Sequence, residues 1–434
     1  MSTQWTQAQQ AAIQDRGGGL LVSAAAGSGK TAVLTQRAVE LITDPRHPVE
    51  ADKLLIVTFT NAAAAELRAR IGEKLLRLSQ ADPASGWLRR QRMLLQRAPI
   101  CTIDAFCLDL LRRHFEALDI PPDFVPADAG SVQMLRESAL ADTLEAACRN
   151  PDFCAFADLY GKGRSDDAAG RAVLQVYDFL RALPDYDKVM DRMLAPWQTE
   201  NSFPSTGWHD LLLDLAGQRA RAAGGLLQAA LADCRADLEE ERARAEESRK
   251  SSSARAAAAA KVNDKFADPL ERLESACALM ERVGDGDWES LYNLLTPYVL
   301  GMEPEPGLKG MKGRLAGPRK AAVKTRAQEA AGLFGEILEL IPCSQAEAEQ
   351  DRALAAPRLA ALFEAVRDFD ARFAAKKRER KLLEFSDFEH LALKLLRGPD
   401  GQPTPLCEGI RAGYGAVMVA EYQDTNALQD ALYS

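Results

Sequence analysis

The sequence predicts an α/β fold, a parallel sheet with helices on both faces, interrupted by a long and mostly helical insertion. Three observations predict it. Short apolar runs alternate with helix-patterned segments from Leu20 to Glu116. The middle of the chain, 121–410, reads mainly as amphipathic helices. Near the end, Ala416-Val417-Met418-Val419 returns to strand character. Strand–helix alternation implies parallel strands joined by crossover helices, and strands on either side of an insertion can join one sheet. The expected divisions are 1–120 for the first part of the α/β domain, 121–410 for the inserted helical domain with its return segment, and 411–434 for the last strand and the end of the α/β domain.

Each element has its own signal. Leu20 to Ser23 is a short apolar run expected to be a buried strand, and Ala32 to Ile42 comes next as a helix. Leu54-Leu55-Ile56-Val57-Thr58-Phe59 is apolar and β-branched, a second strand. After it, Ala63, Leu67, Ile71 and Leu75 recur every fourth residue and mark one buried helical stripe. Ile100-Cys101-Thr102-Ile103 leads into a third helix, Asp104 to Glu116, whose apolar face carries Phe106, Leu110 and Leu111. In the insertion, Gln133 to Ala147 and Ala330 to Leu340 read as amphipathic helices. Ser248 to Ala260 is of low complexity and is either a long exposed helix or a loose connection. The sequence shows no internal repeat.

Composition excludes several classes. The chain has 434 residues, 47% hydrophobic and 27% charged, long enough for two or three domains with sizeable cores. No apolar run approaches the ~18 residues of a membrane span, so no membrane association is expected. The start lacks a basic region followed by an apolar one, so no secretory signal is expected. The eight cysteines form no C-x-x-C pair and there are only four histidines. That argues against zinc and iron–sulfur sites and for reduced thiols in the cytoplasm. A net charge of −9 argues against a uniformly basic nucleic-acid binder but leaves room for local basic grooves.

The chemistry concentrates in two strings. Ala24-Ala25-Ala26-Gly27-Ser28-Gly29-Lys30-Thr31 lies between the first strand and its helix. Glycines there let the backbone aim N–H groups at phosphate oxygens, and the helix beginning near Lys30 adds its positive end. Lys30 is placed to reach the β- and γ-phosphates, and the Thr31 hydroxyl to hold Mg²⁺. Ala24 stands where such loops usually begin with glycine. The other string is Val417-Met418-Val419-Ala420-Glu421-Tyr422-Gln423-Asp424-Thr425-Asn426, an apolar strand ending in polar and acidic residues. Glu421 is either a solvated loop acid or the group that orients an attacking water.

These strings resemble the motifs of superfamily 1 DNA helicases of the UvrD/RecB group, and within it the helicase–nucleases of the AddA type. Trp5-Thr6-Gln7-Ala8-Gln9-Gln10-Ala11-Ala12-Ile13 is similar to the opening motif, in which Gln9 would read the adenine edge. Ser23 to Thr31 matches the phosphate loop of the group, Ala24 included. Thr58 to Leu67 matches its single-strand contact motif, and Val419 to Asn426 with Gln429 matches its acidic motif. Thr102-Ile103-Asp104-Ala105-Phe106-Cys107 resembles a motif beside the DNA track. Two further stretches are similar to the AddA type: Gly161 to Asp167 with Val176-Tyr177-Asp178-Phe179-Leu180-Arg181, and Leu383 to Leu393.

The resemblance implies a P-loop, RecA-like motor domain that takes ATP and Mg²⁺. Lys30, Glu421 and Gln423 would be catalytic. Gln9, Ala24, Ala25, Ala26, Gly27, Ser28, Gly29, Lys30 and Thr31 would bind nucleotide, with Thr31 the metal ligand. Phe59, Thr60, Asn61, Thr102, Asp104 and Phe106 would meet DNA. Taken alone, Phe59 and Phe106 could equally pack, and Thr60, Asn61, Thr102 and Asp104 could equally cap helices. The implied partners are single-stranded and duplex DNA and an AddB-type second subunit, in cytoplasmic repair of double-strand breaks by recombination. Two departures qualify this. Ala420 replaces an aspartate that binds the Mg²⁺ water shell, so hydrolysis is expected to be severely impaired. The chain also stops at Ser434, ahead of the second motor and nuclease domains of the group, so unwinding by these residues alone is not expected. The alternative is a non-motor, nucleotide-sensing DNA-binding module that has lost turnover.

Two basic runs invite electrostatic readings. Lys309, Lys312, Arg314, Arg319, Lys320, Lys324 and Arg326 have no acid between them and include a Gly-rich stretch. They are either a phosphate-contacting loop or a solvated charge run. Lys376 to Lys381 is expected to be an exposed helix face.

Overall fold

The computed structural model describes residues 4–25, 27–161, 167–197, 202–249, 251–302 and 315–433. The order of elements is α1 (Gln7–Gln14), α2 (Lys30–Ile42), β1 (Leu54–Thr58), α3 (Asn61–Ala81), α4 (Gly86–Leu94), β2 (Ile100–Thr102), α5 (Ile103–His114), β3 (Val125–Pro126), α6 (Ala129–Ala147), α7 (Pro151–Gly161), α8 (Asp167–Leu180) and α9 (Tyr186–Leu194). Then come α10 (Trp208–Glu247), α11 (Ser252–Gly284), α12 (Trp288–Val299), α13 (Lys320–Leu340), α14 (Gln345–Glu379), β4 (Leu382–Leu383), α15 (Phe385–Leu396), α16 (Pro405–Ala412), β5 (Ala416–Val419) and α17 (Ala427–Tyr433).

The chain forms two compact units, 1–190 with 361–434, and 191–360. The first holds a parallel sheet in the order β2-β1-β5. Ile56 faces Ile100 on one side and Met418 on the other. All five residues of β1 are buried, as expected of a central parallel strand. Its alternation divides them between two layers. Leu54 and Ile56 pack with Val39 and Ile42 of α2 and Leu67 and Ile71 of α3. Leu55 and Val57 pack with Cys107 and Leu111 of α5 and Phe388 and Ala392 of α15. The expected parallel sheet with helices on both faces is therefore present.

One expected strand is missing. Leu20 to Ser23 is not in strand conformation, and Leu20, Leu21 and Val22 are exposed, Leu21 by 77%. The physical reason is pairing. No described strand hydrogen-bonds to this run, and an apolar segment without ladder partners has no sheet to be buried in.

The insertion begins and ends side by side. β3 and β4 pair in parallel, with Val125 N–H donating to Lys381 O and Ala127 N–H to Leu383 O, both at 2.9 Å. Residues 121–190 and 361–410, read from sequence as part of the insertion, lie in the same compact unit as the sheet.

The second unit packs α10 against α11 and α13. Along α10, Ala216, Ala220, Ala223, Leu227, Ala230 and Cys234 are buried at alternating four- and three-residue spacing, the stripe of closely packed helices. The next stripe position is Asp237, fully buried. Its carboxylate accepts from Arg319 N–H at 2.9 Å and Arg319 Nη1 at 2.8 Å. Gly317 has φ +93° beside it, and a Cβ there would collide with the carboxylate. Of the low-complexity stretch, Ser252 to Ala260 form the start of α11, and Ser248 follows the last residue of α10.

The basic runs are partly spoken for. Lys309, Lys312 and Arg314 lie outside the described residues. Arg319 pairs with Asp237 and Glu240, and Arg326 with Asp233. Lys377 is not on an exposed face but is 3% exposed, bonded to Asp387 at 2.6 Å and Glu384 at 3.2 Å. Lys376, Arg378 and Lys381 pair with Asp142, Asp119 and Asp123.

Candidate nucleotide and nucleic-acid site

The site draws on the loop that opens α2 and on the carboxyl ends of the sheet strands. Helix α2 returns at its far end to the amino ends of the strands. Val49 N–H donates to Leu41 O at 2.9 Å, and Gly415 N–H, just ahead of β5, donates to Lys53 O at 2.9 Å. From that anchor the 13-residue helix extends ~20 Å at ~1.5 Å per residue. Its first residue, Lys30, follows the loop directly, while β1 and β5 end at the carboxyl edge of the sheet. Open parallel sheets bind ligands at this edge. Phe59, Thr102 and Ala420-Glu421 stand there, directly at or after the ends of β1, β2 and β5.

The loop before α2 has the backbone that anion cradles require. Gly27 (φ +76°) and Gly29 (φ +85°) are left-handed, a conformation costly for side-chain-bearing residues. No atom lies within 4 Å of where a Gly27 Cβ would sit. Lys30 Nζ donates to Ala24 O at 3.0 Å, and Thr31 is exposed in the first turn. Gln9 joins this loop from α1. Its Nε2 donates to Ser28 O at 3.0 Å, while its Oε1 accepts from Thr6 N–H at 2.9 Å in a capping box. Ala24 and Ala25 are exposed in irregular backbone, and Ala26 lies outside the described residues.

At the tip of β5, Ala420 N–H still bonds to Val57 O at 2.8 Å. Glu421 then turns left-handed (φ 58°, ψ 44°). Non-glycine residues hold that conformation at a cost of ~1 kcal/mol or more, and it clusters at functional turns. Its Oε2 accepts from Gln423 Nε2 at 2.5 Å, and the same amide reaches Asp424 at 3.3 Å.

These donors suit a polyphosphate: two left-handed glycines, a helix N-terminus and an ammonium group. They suit a divalent cation less well. Thr31 supplies a hydroxyl, Ala420 supplies no oxygen from its side chain, and no cluster of three or more His, Cys, Asp or Glu among the described residues could hold a metal ion.

The residues expected to meet DNA divide by exposure. Phe59 is 70% exposed, an unusual position for a large apolar ring at a strand end. Thr60 Oγ1 accepts from Ala63 N–H at 3.1 Å and caps α3, whose first residue is the exposed Asn61. Thr102 Oγ1 accepts from Ala105 N–H at 3.3 Å and caps α5. Asp104 is half-buried, and burial raises its carboxyl pKa. Of the two readings of Phe106, packing or DNA contact, the structure has the ring packed. It is 8% exposed and packs in the core with Leu110 and Phe388, because the α5 stripe that carries it faces the sheet.

A polar junction beside this edge escaped sequence reasoning. Arg181 Nη2, at the end of α8, donates to Asp387 at 2.9 Å and Ser386 at 3.2 Å, and His390 Nε2 meets Arg181 O at 3.0 Å. Gln429 Nε2 donates to Glu389 Oε1 at 2.6 Å. Burial lowers the His390 pKa to about 4 and raises that of Glu389. The strings 176–181 and 383–393 were the only signal, and nothing in them says that they touch.

Fold and edge together define a P-loop nucleotide-binding domain of the α/β class. The chain belongs to the UvrD/REP helicase N-terminal domain family, which it matches over residues 5–434. Among its relatives are ATP-dependent helicase/nuclease subunits of the AddA type. That of Pelotomaculum thermopropionicum is 34% identical over all of this chain and 33% of the relative. That of Moorella thermoacetica is 35% identical over 99% of this chain and 29% of the relative. That of Geobacillus kaustophilus is 33% identical over 99% and 33%. The chain spans about a third of the length of these relatives. No described helix is long and apolar enough to cross a membrane.

Proposed function

We propose that this chain is the first, RecA-like motor domain of an AddA-type DNA helicase–nuclease, which couples ATP hydrolysis to DNA unwinding in cytoplasmic repair of double-strand breaks by recombination. What supports this reading is the left-handed glycine loop that opens α2, together with the Glu421 turn and the exposed ring of Phe59 at the carboxyl ends of β5 and β1. In this reading the backbone of Gly27 to Lys30 cradles the phosphates, Lys30 leaves Ala24 O for the β- and γ-oxygens, and Gln9 exchanges a partner to read adenine. Glu421 orients the attacking water and takes its proton, and Gln423 holds Glu421 in place. The Thr31 hydroxyl would hold Mg²⁺, which would supply charge neutralisation at the phosphates.

Phe59 stacks on a base of single-stranded DNA, with Thr60, Asn61, Thr102 and Asp104 along the same track and Phe106 as support beneath it. A protein of the relatives' full length has duplex DNA and an AddB-type subunit as its partners. The division into 1–120, 121–410 and 411–434 describes motor, insertion and motor return. Without a carboxylate at 420, nucleotide binding is weak and turnover slow, and these residues alone do not unwind DNA.

Ala420 favours one other reading, a nucleotide-sensing DNA-binding module without turnover. DNA-stimulated ATPase measured with Ala420→Asp separates the two. A motor gains turnover that rises with single-stranded DNA. If the variant binds Mg·ATP and DNA, yet turnover ignores DNA, the motor reading is lost.

A further inference from the structure

Within the sheet-bearing unit, an open cavity of about 420 Å³ lies beside Asp104. It is bounded by α5, α6, α8 and α15 and by the segment after Glu421. Most of its charges are satisfied. Arg136 bonds Asp178 at 2.6 Å, Arg181 bonds Asp387 at 2.9 Å, and Glu384 meets Lys377 at 3.2 Å. Two lining carboxylates lack a cation. Asp104 has no hydrogen bond or ion pair among the described residues, and Glu389 has only the Gln429 amide on Oε1, leaving Oε2 unpartnered. A third polar group is idle. Tyr177 lines the cavity, is 3% exposed, and its buried hydroxyl has no hydrogen-bond partner. Arg136 and Arg181 sit 5.6 and 5.9 Å from the centre of its ring, so the hydroxyl is the part of Tyr177 left to bind. Phe385 also lines the cavity. It is 61% exposed and held edge-on to Phe388, with ring centres 5.8 Å apart.

The chemistry asks for a flat, neutral group with adjacent N–H donors. The lining carries two arginines against Asp104, Asp178, Glu384 and Glu389, a negative balance that disfavours phosphate inside. The volume is in the range of small-ligand pockets. Among the DNA bases only guanine presents two neighbouring donors, N1–H and N2–H, on one edge. That pair matches a carboxylate, whereas adenine, cytosine and thymine place an acceptor next to their donor. The cavity lies on the same side as the carboxyl edge: Asp104 is two residues past β2, and Thr102 is in register with Thr58, next to Phe59.

We propose that this cavity receives one unstacked guanine, with Asp104 and Glu389 on its N1–H and N2–H edge and Phe385 against its face. The phosphates remain outside, Gln429 keeps hold of Glu389 Oε1, and Asn426, whose Oδ1 accepts from Gln429 N–H at 2.8 Å, offers its Nδ2 to an acceptor on the remaining base edge. Burial is the first cause that raises the Glu389 carboxyl, the Asp104 charge adds to it, and burial alone raises Asp104. Both carboxylates are thus groups that gain from donors brought to them. The proposal rests on the single-strand track described above only for how the base arrives.

The test uses the whole chain with guanosine, inosine and thymidine as probes, by saturation-transfer NMR and calorimetry, and dT12 binding on the same sample. Guanosine binds at least fivefold tighter than inosine, which lacks the N2 amino group, and than thymidine. Glu389→Gln removes that preference while leaving dT12 affinity unchanged, and Asp104→Asn also removes it. Equal binding of the three nucleosides, or a preference that survives both substitutions, overturns the proposal. So does N-acetylarginine amide binding where guanosine does not, since the cavity then takes a protein side chain. If dT12 fails to bind but guanosine binds selectively, the track fails and the guanine site stands.

Discussion

Lys30 turns back on its own loop: its Nζ donates to the carbonyl oxygen of Ala24 at 3.0 Å. The ammonium is therefore held within its own loop, and a phosphate oxygen has only to replace one neutral acceptor. Charge-assisted bonds are about twice as strong as neutral ones, so the exchange favours the phosphate. Lys30→Ala should weaken binding of a fluorescent ATP analogue by ~10-fold or more, consistent with the loss of at least ~1.4 kcal/mol. The melting temperature without nucleotide should not change. Unaltered affinity would remove Lys30 from the site.

Ala420 lies at the end of β5, its N–H still bonded to Val57 O. Ala420→Asp should make nucleotide affinity depend on Mg²⁺, with ~10-fold or tighter binding in its presence, because a carboxylate there can bind the ion's water shell. Titrations with and without Mg²⁺ on both proteins check this. Equal affinity and equal turnover would show that the position does not face the metal.

Phe59 is exposed over most of its surface, so its removal should not disturb the core. Phe59→Ala should weaken dT12 binding by ~1–3 kcal/mol, the range for one stacked base. The neighbouring core ring Phe106 makes the contrast. Phe106→Ala should lower stability by ~3 kcal/mol, read by denaturant unfolding. A Phe59→Ala variant that unfolds early with unchanged DNA affinity would reverse the assignment.

His390 is held neutral by burial, with the Arg181 guanidinium adding to the effect and a bond to the Arg181 carbonyl and the carboxylates of Asp387 and Asp370 opposing it. Its pKa is about 4 in the folded chain and near 6.5 unfolded. As pH falls below 6.5 the unfolded chain takes up a proton that the folded one refuses. Stability should therefore fall between pH 6.5 and about 4, by at most ~1.4 kcal/mol per pH unit from this group. Above pH 6.5 the group contributes no slope. Thermal unfolding of His390→Gln should show a shallower decline between pH 6.5 and 5. Parallel curves would contradict the account.

Asp237 is a buried carboxylate held by Arg319, whereas Arg326 and Asp233 form a more exposed pair. Removing one partner of a buried pair strands the other charge, but exposed pairs contribute little. Arg319→Ala should lower the melting temperature of 191–360 clearly more than Arg326→Ala. Calorimetry that ranks them the other way would refute this.

The legible part of the sequence obeyed local rules. The unbroken apolar run of Leu54 to Val57 and the four-residue spacing of Ala63 to Leu75 report burial directly, and both elements formed as read. Leu20 to Ser23 failed because a strand needs a neighbour as well as apolar residues. The spacing of Phe106, Leu110 and Leu111 marked the face of α5 that packs in the core, whereas Lys377 failed because a run of charges does not say which side of a helix meets the core. Asp237 interrupts an apolar stripe, and its partner Arg319 lies 82 residues away. The Glu389–Gln429 bond joins two motifs that sequence reasoning treated separately.

The central claim is that the Lys30 turn and the Glu421 turn close on one triphosphate. The most direct measurement is a crystal structure of the chain with Mg²⁺ and a non-hydrolysable ATP analogue. The account predicts the γ-phosphate bonded to Lys30 Nζ, with Glu421 facing it across one water. An analogue bound elsewhere, or one held by Lys30 with Glu421 turned away beyond reach of that water, would contradict it.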